Sequence, residues 1–181
     1  MMLRIYTPLI VIILIVLQGV SLSFIPVSFV ESGWVIVSHS VFMFLVLYKL
    51  FFDLEETNYA IVWAALAGLI IDIVYTDIIG VYMFSYTIMI FFVHGGRRWL
   101  QRNFYISTLL ALVSVSMADF ILYFIYYLID ITQMEITDYV YYRLFPTALL
   151  NIIIFLLFYV LFKNKLVKWS NERFDLKGTT N

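Results

Sequence analysis

One stretch of the sequence decides the fold: Ala60-Ile-Val-Trp-Ala-Ala-Leu-Ala-Gly-Leu-Ile-Ile-Asp-Ile-Val-Tyr-Thr-Asp-Ile-Ile-Gly80, a hydrophobic run interrupted by two carboxylates and two glycines. Small residues and one acid recur at every fourth position, which places them on one helix face: Ala60, Ala64, Gly68 and Asp72. Such a face lets the backbone of another helix come close. The stretch therefore predicts a helix with a packing seam that ends in an acid.

The chain is expected to reverse direction just after this helix. Thr76 and Asp77 are typical turn residues, and Gly80 can adopt backbone angles that other residues avoid. A metal site or a catalytic acid pair at Asp72 and Asp77 is the alternative, but no His, Cys or Glu lies close by to complete it. Helix termination and turn hydrogen bonds are therefore favoured, and the pattern predicts a short helical hairpin.

The composition is that of an all-α integral membrane protein. Hydrophobic residues make up 64% of the 181 residues and charged residues 13%, with a mean hydropathy of +1.00. Soluble domains have roughly 45–50% apolar and about 25% charged residues. Several runs reach the roughly 20 apolar residues that a helix needs to cross about 30 Å of hydrocarbon.

The apolar runs predict six transmembrane helices, and these cover residues 7–25, 34–52, 59–75, 78–93, 104–129 and 139–162. Two alternatives stay open. The first run can be read as a cleaved signal peptide, although it is longer than the usual apolar core of a signal. The third and fourth runs can be read as a re-entrant hairpin because the fourth is short. Residues 1–165 are predicted to form the transmembrane domain, and residues 166–181 a short basic cytoplasmic tail.

The basic residues orient the predicted bundle. Ten of the eleven lie in the N-terminus, the second and fourth loops and the tail, and the exception is Arg143. Because Lys and Arg are retained in the cytoplasm, both termini are predicted to be cytoplasmic in a multi-pass protein of the bacterial plasma membrane. Arg97, Arg98 and Arg102 surround Trp99, but beside apolar runs they indicate contact with anionic lipid rather than nucleic acid.

Asp119 is the most costly residue, because it lies near the middle of the fifth run. Ser116 and Tyr123 lie one turn to either side on its face and offer a local hydroxyl network. Since no Lys or Arg is expected at its depth, a neutral, structural acid is favoured over a transport site. His39, between two serines in the second run, is interpreted as a hydrogen-bonded residue rather than a proton relay.

The last run carries a second polar patch, which consists of Pro146, Thr147 and Asn151. Thr147 and Asn151 share a helix face and are expected to bond across to a neighbouring helix. There is no cysteine, no phosphate-binding glycine loop and no metalloprotease or nucleophile motif. These absences argue against an enzyme, and no catalytic, metal or cofactor residue is predicted.

The hairpin resembles the signature of the MreD family of rod shape-determining proteins. Gly68-Leu-Ile-Ile-Asp72, a short turn and then Gly80 carry the resemblance, and Arg143-Leu-Phe-Pro-Thr-Ala-Leu-Leu-Asn151 looks like the final helix of that family. The resemblance implies a non-enzymatic partner of the single-span protein MreC in cell-wall elongation, together with MreB, RodA and a class B penicillin-binding protein. It also implies a six-helix fold similar to the substrate-binding components of energy-coupling-factor importers.

Two functions follow from these expectations. The first is a membrane scaffold that receives MreC along the small-residue seam. The second is a component of a small-molecule importer of the vitamin type, in which Asp72, Asp119 and Asn151 line a ligand cavity. Because that class carries a docking motif of small residues on its first helix and residues 7–25 contain no alanine, the scaffold is favoured.

Overall fold

The computed structural model of the protein describes residues 3–21, 23, 26–54, 56–97 and 103–174. The regular elements in these ranges are all helical, which confirms the predicted class. They are α1 (Leu3–Ser21), α2 (Val27–Glu31), α3 (Ser40–Phe51), α4 (Tyr59–Tyr75), α5 (Val81–Arg97), α6 (Phe104–Leu128), α7 (Ile136–Asp138), a π-helical turn (Tyr139–Leu144) and α8 (Phe145–Phe174). Arg98 and Arg102 of the predicted arginine loop and Lys177 of the predicted tail lie outside the described residues.

Helix α3 is the central element of the bundle. It contacts α1, α4, α5, α6 and α8, and each of its residues is buried. A helix that is apolar on every side is expected to lie inside a bundle, because no face of it gains from contact with a polar surface. The other long helices therefore surround α3.

The second predicted transmembrane run is only half helical. Residues 34–39 are not helical, and α3 begins at Ser40 rather than at Trp34. Their alternating backbone hydrogen bonds are those of an extended chain that bends at His39, where φ is −109° and ψ is 44°. Twelve helical residues cover about 18 Å, and the extended residues before His39 add roughly 16 Å at about 3.3 Å each. The run keeps the length of a bilayer, although the backbone groups of its first half are not paired within a helix of their own.

The small-residue seam is used within the chain itself. Ala60, Ala64 and Gly68 are buried, and a Cβ atom on Gly68 would lie 2.5 Å from the Cα of Met83 on α5. Glycine is required here because the two helix backbones touch. The expectation that MreC packs along this seam is therefore corrected, since α5 and the core already cover it.

Asp72 at the end of the seam joins α4 to α5. Its carboxylate accepts hydrogen bonds from the backbone amides of Gly80 (2.9 Å), Tyr82 (2.9 Å) and Met83 (3.1 Å), which are otherwise unpaired at the start of a helix. Gly80 has a φ of 108°, as the predicted turn requires. Asp77 is exposed in the turn. Asp72 thus forms the hydrogen bonds of the hairpin that the sequence indicated, while the role of Asp77 stays a prediction.

The last helix is longer than predicted. α8 continues through residue 165 to Phe174, and Leu166 and Ser170 are buried on it. The Ser170 hydroxyl donates to the backbone carbonyl of Phe52 (2.8 Å). The predicted boundary between domain and tail thus falls inside one helix whose end packs against the α3–α4 connection.

Two helical segments are long and apolar enough to cross a membrane, Phe104–Leu128 and the continuous segment Ile136–Phe174. Four shorter apolar helices accompany them in the described residues, at Tyr6–Ser21, Ser40–Phe51, Tyr59–Tyr75 and Val81–Gly96. Below, the end of the bundle that holds the α4–α5 turn is called the hairpin end. The opposite end, which holds the α3–α4 connection, is called the tail end.

Candidate functional site

The segment of residues 34–39, called the extended segment below, is held along one edge by side chains of α8. The Val37 amide donates to the Thr147 hydroxyl (3.1 Å), and the His39 amide donates to the Asn151 carbonyl oxygen (2.6 Å). The Asn151 amide group donates in return to the Val37 carbonyl (2.8 Å). In an extended chain, the backbone amides of residues two apart point to the same side. On a helix, the side chains of residues four apart lie on the same face, so Thr147 and Asn151 match the spacing of Val37 and His39. Thr147 and Asn151 thus bond to an extended segment rather than to a helix.

Pro146 makes a third backbone contact available to this segment. A proline has no amide hydrogen to donate to the carbonyl four residues earlier, which is that of Tyr142. The Val35 amide donates to this carbonyl instead (2.9 Å). The three predicted residues of the polar patch, Pro146, Thr147 and Asn151, therefore act together on alternate residues of one strand-like segment.

Asp119 is fully buried next to the start of α3 and is ringed by three donors. Arg143 Nη2 lies 3.1 Å from Oδ1, and Arg143 Nε lies 3.4 Å from each carboxylate oxygen. The Tyr139 hydroxyl donates to Oδ2 (3.0 Å), and His39 Nε2 lies 3.3 Å from Oδ1. The carboxylate and the guanidinium neutralise each other, as buried charges require.

The prediction that Asp119 is a neutral acid without a cationic partner is wrong. Arg143 lies at the hairpin end of the last helical segment, and its long side chain carries the guanidinium into the bundle to the carboxylate. The predicted hydroxyl network with Ser116 and Tyr123 does not form either. The Tyr123 hydroxyl donates to the backbone carbonyl of Met134 instead (2.8 Å).

The π-helical turn brings two of these donors to the carboxylate. Tyr139 and Arg143 are both part of it, and they are four residues apart. A π-helix is wider than an α-helix, so residues four apart are more nearly in line, and such turns are frequent at functional sites. The irregular winding therefore aims a hydroxyl and a guanidinium at the same acid.

His39 extends the network across the bundle. Because a carboxylate can only accept, His39 Nε2 carries the hydrogen toward Asp119, and Nδ1 then accepts from the Tyr86 hydroxyl (2.8 Å). The Gln18 side-chain amide donates to the Tyr86 oxygen at 3.4 Å. This order of donors and acceptors satisfies a neutral histidine, and it links α1, α3, α5 and α6 to the π turn.

A second buried ion pair lies at the tail end. Lys49 Nζ donates to Asp53 Oδ2 (2.9 Å) and to the backbone carbonyls of Leu54 (3.2 Å) and Thr57 (2.7 Å). Asp53 also accepts from the Thr57 hydroxyl and from the Ala60 amide (3.1 Å). This cluster fastens the connection between α3 and α4, and the sequence interpretation had not assigned it a role.

A cavity of about 350 Å³ opens beside the network at the hairpin end. Its walls are formed by α1, the extended segment, the α4–α5 hairpin, α6 and the π-helical turn. The lining residues are Gln18, Gly19, Val35, Val37, Ser38, Ile71, Tyr75, Thr76, Tyr82, Tyr126 and Arg143. Asp72, Asp119 and Asn151 do not line it, since each is hydrogen-bonded within the protein. The predicted lining of a ligand cavity by these three residues is therefore incorrect, although a cavity is present.

The hydrogen bonds of this site order the start of α3 against α6, α8 and the π-helical turn. Among the described residues, no group of three or more His, Cys, Asp or Glu side chains is placed to hold a metal ion. Arg143 and Asp119 are opposite charges in apolar segments, and such charges usually pair inside the protein. That general rule was the signal in the sequence that could have revealed the pair.

An apolar helical bundle whose charged side chains pair in its interior is the architecture of a membrane protein. The model of one family, the rod shape-determining protein MreD, matches residues 2–168. The chain belongs to the MreD family, and the resemblance seen in the sequence is confirmed.

A curated relative supports this assignment. The rod shape-determining protein MreD of Bacillus subtilis (strain 168) is 24% identical over 149 residues, which cover 82% of this chain and 85% of the relative. No solved structure matches the chain. The protein is thus a membrane-associated member of a family that determines rod shape.

Proposed function

We propose that this chain is a non-enzymatic scaffold of the bacterial cell-wall elongation machinery that holds MreC in the plasma membrane by helix packing. Membership in the MreD family supports a role in shape determination. The resemblance adds MreC as the direct partner, with RodA, a class B penicillin-binding protein and MreB in the same assembly. The chain crosses the membrane six times in this proposal, with both termini in the cytoplasm.

One structural observation carries the proposal: the polar side chains bond to one another inside the bundle, while the outside is apolar. Exposed large apolar residues lie on every long helix other than α3, for example Val16 on α1, Val62 on α4, Ile88 on α5, Leu109 on α6 and Leu149 on α8. Helices associate in lipid through close packing of such surfaces. Because α5 covers the seam of α4, the partner has to bind an outer face.

Site-specific photo-cross-linking in cells tests which face binds MreC. A photoreactive residue replaces Val16, Val62, Ile88, Leu109 or Leu149 in turn, and Phe155, which is fully buried, serves as the matched control. We expect cross-links to MreC from one outer face and none from the control position. Normal insertion without a cross-link from any outer position would contradict the scaffold proposal.

The topology can be tested separately, because the chain contains no cysteine and any introduced cysteine is its only thiol. Asp77→Cys and Glu135→Cys should react with a membrane-impermeant maleimide applied to intact cells. Lys168→Cys should react only after the membrane is opened. Labelling of Lys168→Cys in intact cells would exclude cytoplasmic placement of the α8 end.

A further inference from the structure

The cavity at the hairpin end is lined by Ser38, whose backbone groups have no partner among the described residues. Within the described residues, the amide and carbonyl groups of Ile36 and Ser38 have no hydrogen-bond partner, whereas Val35, Val37 and His39 bond toward the π turn and α8. Irregular backbone at membrane depth is tolerated only where it is buried in protein or lines a wet cavity. The second edge of the extended segment is therefore available to a polar occupant.

Side-chain donors without a partner converge on the same cavity. Ser38, which is 5% exposed, has a hydroxyl with no partner in the described part of the chain, and so has Tyr82. Arg143 uses Nε and Nη2 on Asp119, which leaves its Nη1 group for the cavity side. These three donors are accessible from the cavity and make no bond to the described residues, so their convergence on one space indicates a site for a polar group that accepts hydrogen bonds.

The charges and the size of the cavity decide what can fill it. The two nearest buried acids are occupied, because Asp119 is bound by Arg143 and Asp72 by three backbone amides. Neither carboxylate is left to attract a cation, whereas the guanidinium edge of Arg143, the hydroxyls of Ser38 and Tyr82 and the Ser38 amide can all donate. A volume of about 350 Å³ lies at the small end of the range for ligand pockets, which is about 300–1,000 Å³.

We propose that this cavity binds a phosphate-bearing polar group. Arginine, serine and tyrosine side chains and backbone amides are the donors that proteins commonly use on phosphate oxygens. The group can reach the site as the headgroup of a lipid or as a soluble phosphate ester, since the donors are the same for both. The site is separate from the outer faces assigned above to MreC, so either proposal can fail without the other.

Native mass spectrometry of the full chain in detergent tests the site with two probes, phosphatidylglycerol and sn-glycerol 3-phosphate. Retention of phosphatidylglycerol alone identifies a lipid headgroup, and retention or competition by glycerol 3-phosphate identifies a soluble ester. The double variant Ser38→Ala with Tyr82→Phe removes only two hydroxyls that have no partner among the described residues. We expect it to fold normally and to bind the retained probe about tenfold more weakly.

Tyr141→Phe is the matched control, because Tyr141 is 72% exposed and does not line the cavity. This control variant should bind like the unsubstituted protein. Arg143→Lys adds a second test, since it keeps the charge beside Asp119 but removes the planar fork, and it should also weaken binding. Retention of neither probe, or equal retention by the double variant and the control, would overturn the proposal.

Discussion

The two buried ion pairs of this bundle are built in opposite ways. At the tail end, Lys49 and Asp53 are one helical turn apart, and they also bond to Leu54, Thr57 and Ala60 in the connection that follows. At the hairpin end, Arg143 and Asp119 are 24 positions apart, and His39 joins them from 80 positions away. The first pair fastens a turn, and the second ties distant segments of the chain together.

The two ion pairs also differ in how far they are accessible from outside the bundle. The tail-end pair sits where α3, the connection and α8 close over it, and both of its side chains are fully buried. The hairpin-end pair sits beside unpaired backbone and a cavity, and the Arg143 side chain keeps 17% of its surface accessible. A local pair can be closed off completely, whereas a pair that joins several elements leaves space where those elements diverge.

The largest expected effect is at the hairpin end. Asp119→Ala leaves the Arg143 charge buried without its partner and should lower the free energy of unfolding by about 3–5 kcal/mol. Unfolding in detergent, followed by circular dichroism, measures the loss. The double variant Asp119→Leu with Arg143→Met should recover most of it, because apolar residues of similar size often replace a buried pair at little cost. An Asp119→Ala variant as stable as the unsubstituted protein would show that the ion pair does not contribute to stability.

Lys49→Met tests the tail end and should cost somewhat less, about 2–3 kcal/mol, because Asp53 retains the Thr57 hydroxyl and the Ala60 amide as donors. Hydrogen exchange should become faster at the Ala60 amide and stay unchanged at the Val35 amide. If exchange at Val35 also became faster, the two ends would be coupled rather than independent, and the comparison between them would not hold.

Asn151→Leu addresses the support of the extended segment. It removes the bonds to the His39 amide and the Val37 carbonyl and should lower the free energy of unfolding by about 2 kcal/mol. Exchange at the His39 amide should become faster, whereas the Val37 amide should stay protected by Thr147. Thr147→Val is the matched variant, and it should show the reverse pattern. Equal exchange in both variants would mean that the segment opens as a unit.

The smallest effect is expected for Pro146→Ala. The new amide at position 146 can donate to the Tyr142 carbonyl and compete with the Val35 amide, so the stability should change by less than about 1 kcal/mol. Exchange at the Val35 amide should nevertheless become measurably faster. Pro8→Ala in α1 is the control, and it should leave Val35 unaffected. Unaltered exchange at Val35 in the Pro146 variant would show that the proline is not needed for the hydrogen bond between Val35 and Tyr142.

Local patterns predicted the individual elements well where the chain was uniform. The helix predicted at 59–75 has those bounds, and the one predicted at 104–129 ends one residue earlier, at Leu128. The second run was misjudged because Val35 to Ser38 is as apolar as a helical segment, and hydropathy alone does not distinguish extended from helical backbone. The extended form is stabilised by Thr147 and Asn151 on α8 and by the Tyr142 carbonyl, which accept hydrogen bonds from its amides, and by the Asn151 amide group, which donates to Val37.

The site was predicted in part. Thr147, Asn151 and Asp119 were identified as polar residues that need partners, and the turn role of Asp72 was foreseen. Their partners were not, because Asn151 bonds to residues more than 110 positions away and Asp119 to residues on both sides of it in the chain. Pairings across such distances depend on how the helices cross, which no local spacing specifies.

The sequence by itself determined the helical class, the apolar runs, the α4–α5 hairpin and the family, because composition and short-range spacing are properties of neighbouring residues. The tertiary structure alone decided that the small-residue seam is filled by α5, that Asp119 is charged and paired with Arg143, and that residues 34–39 are extended beside a cavity. Each of these depends on which distant groups meet in a medium that supplies no water, where every buried donor and charge must find its partner within the fold.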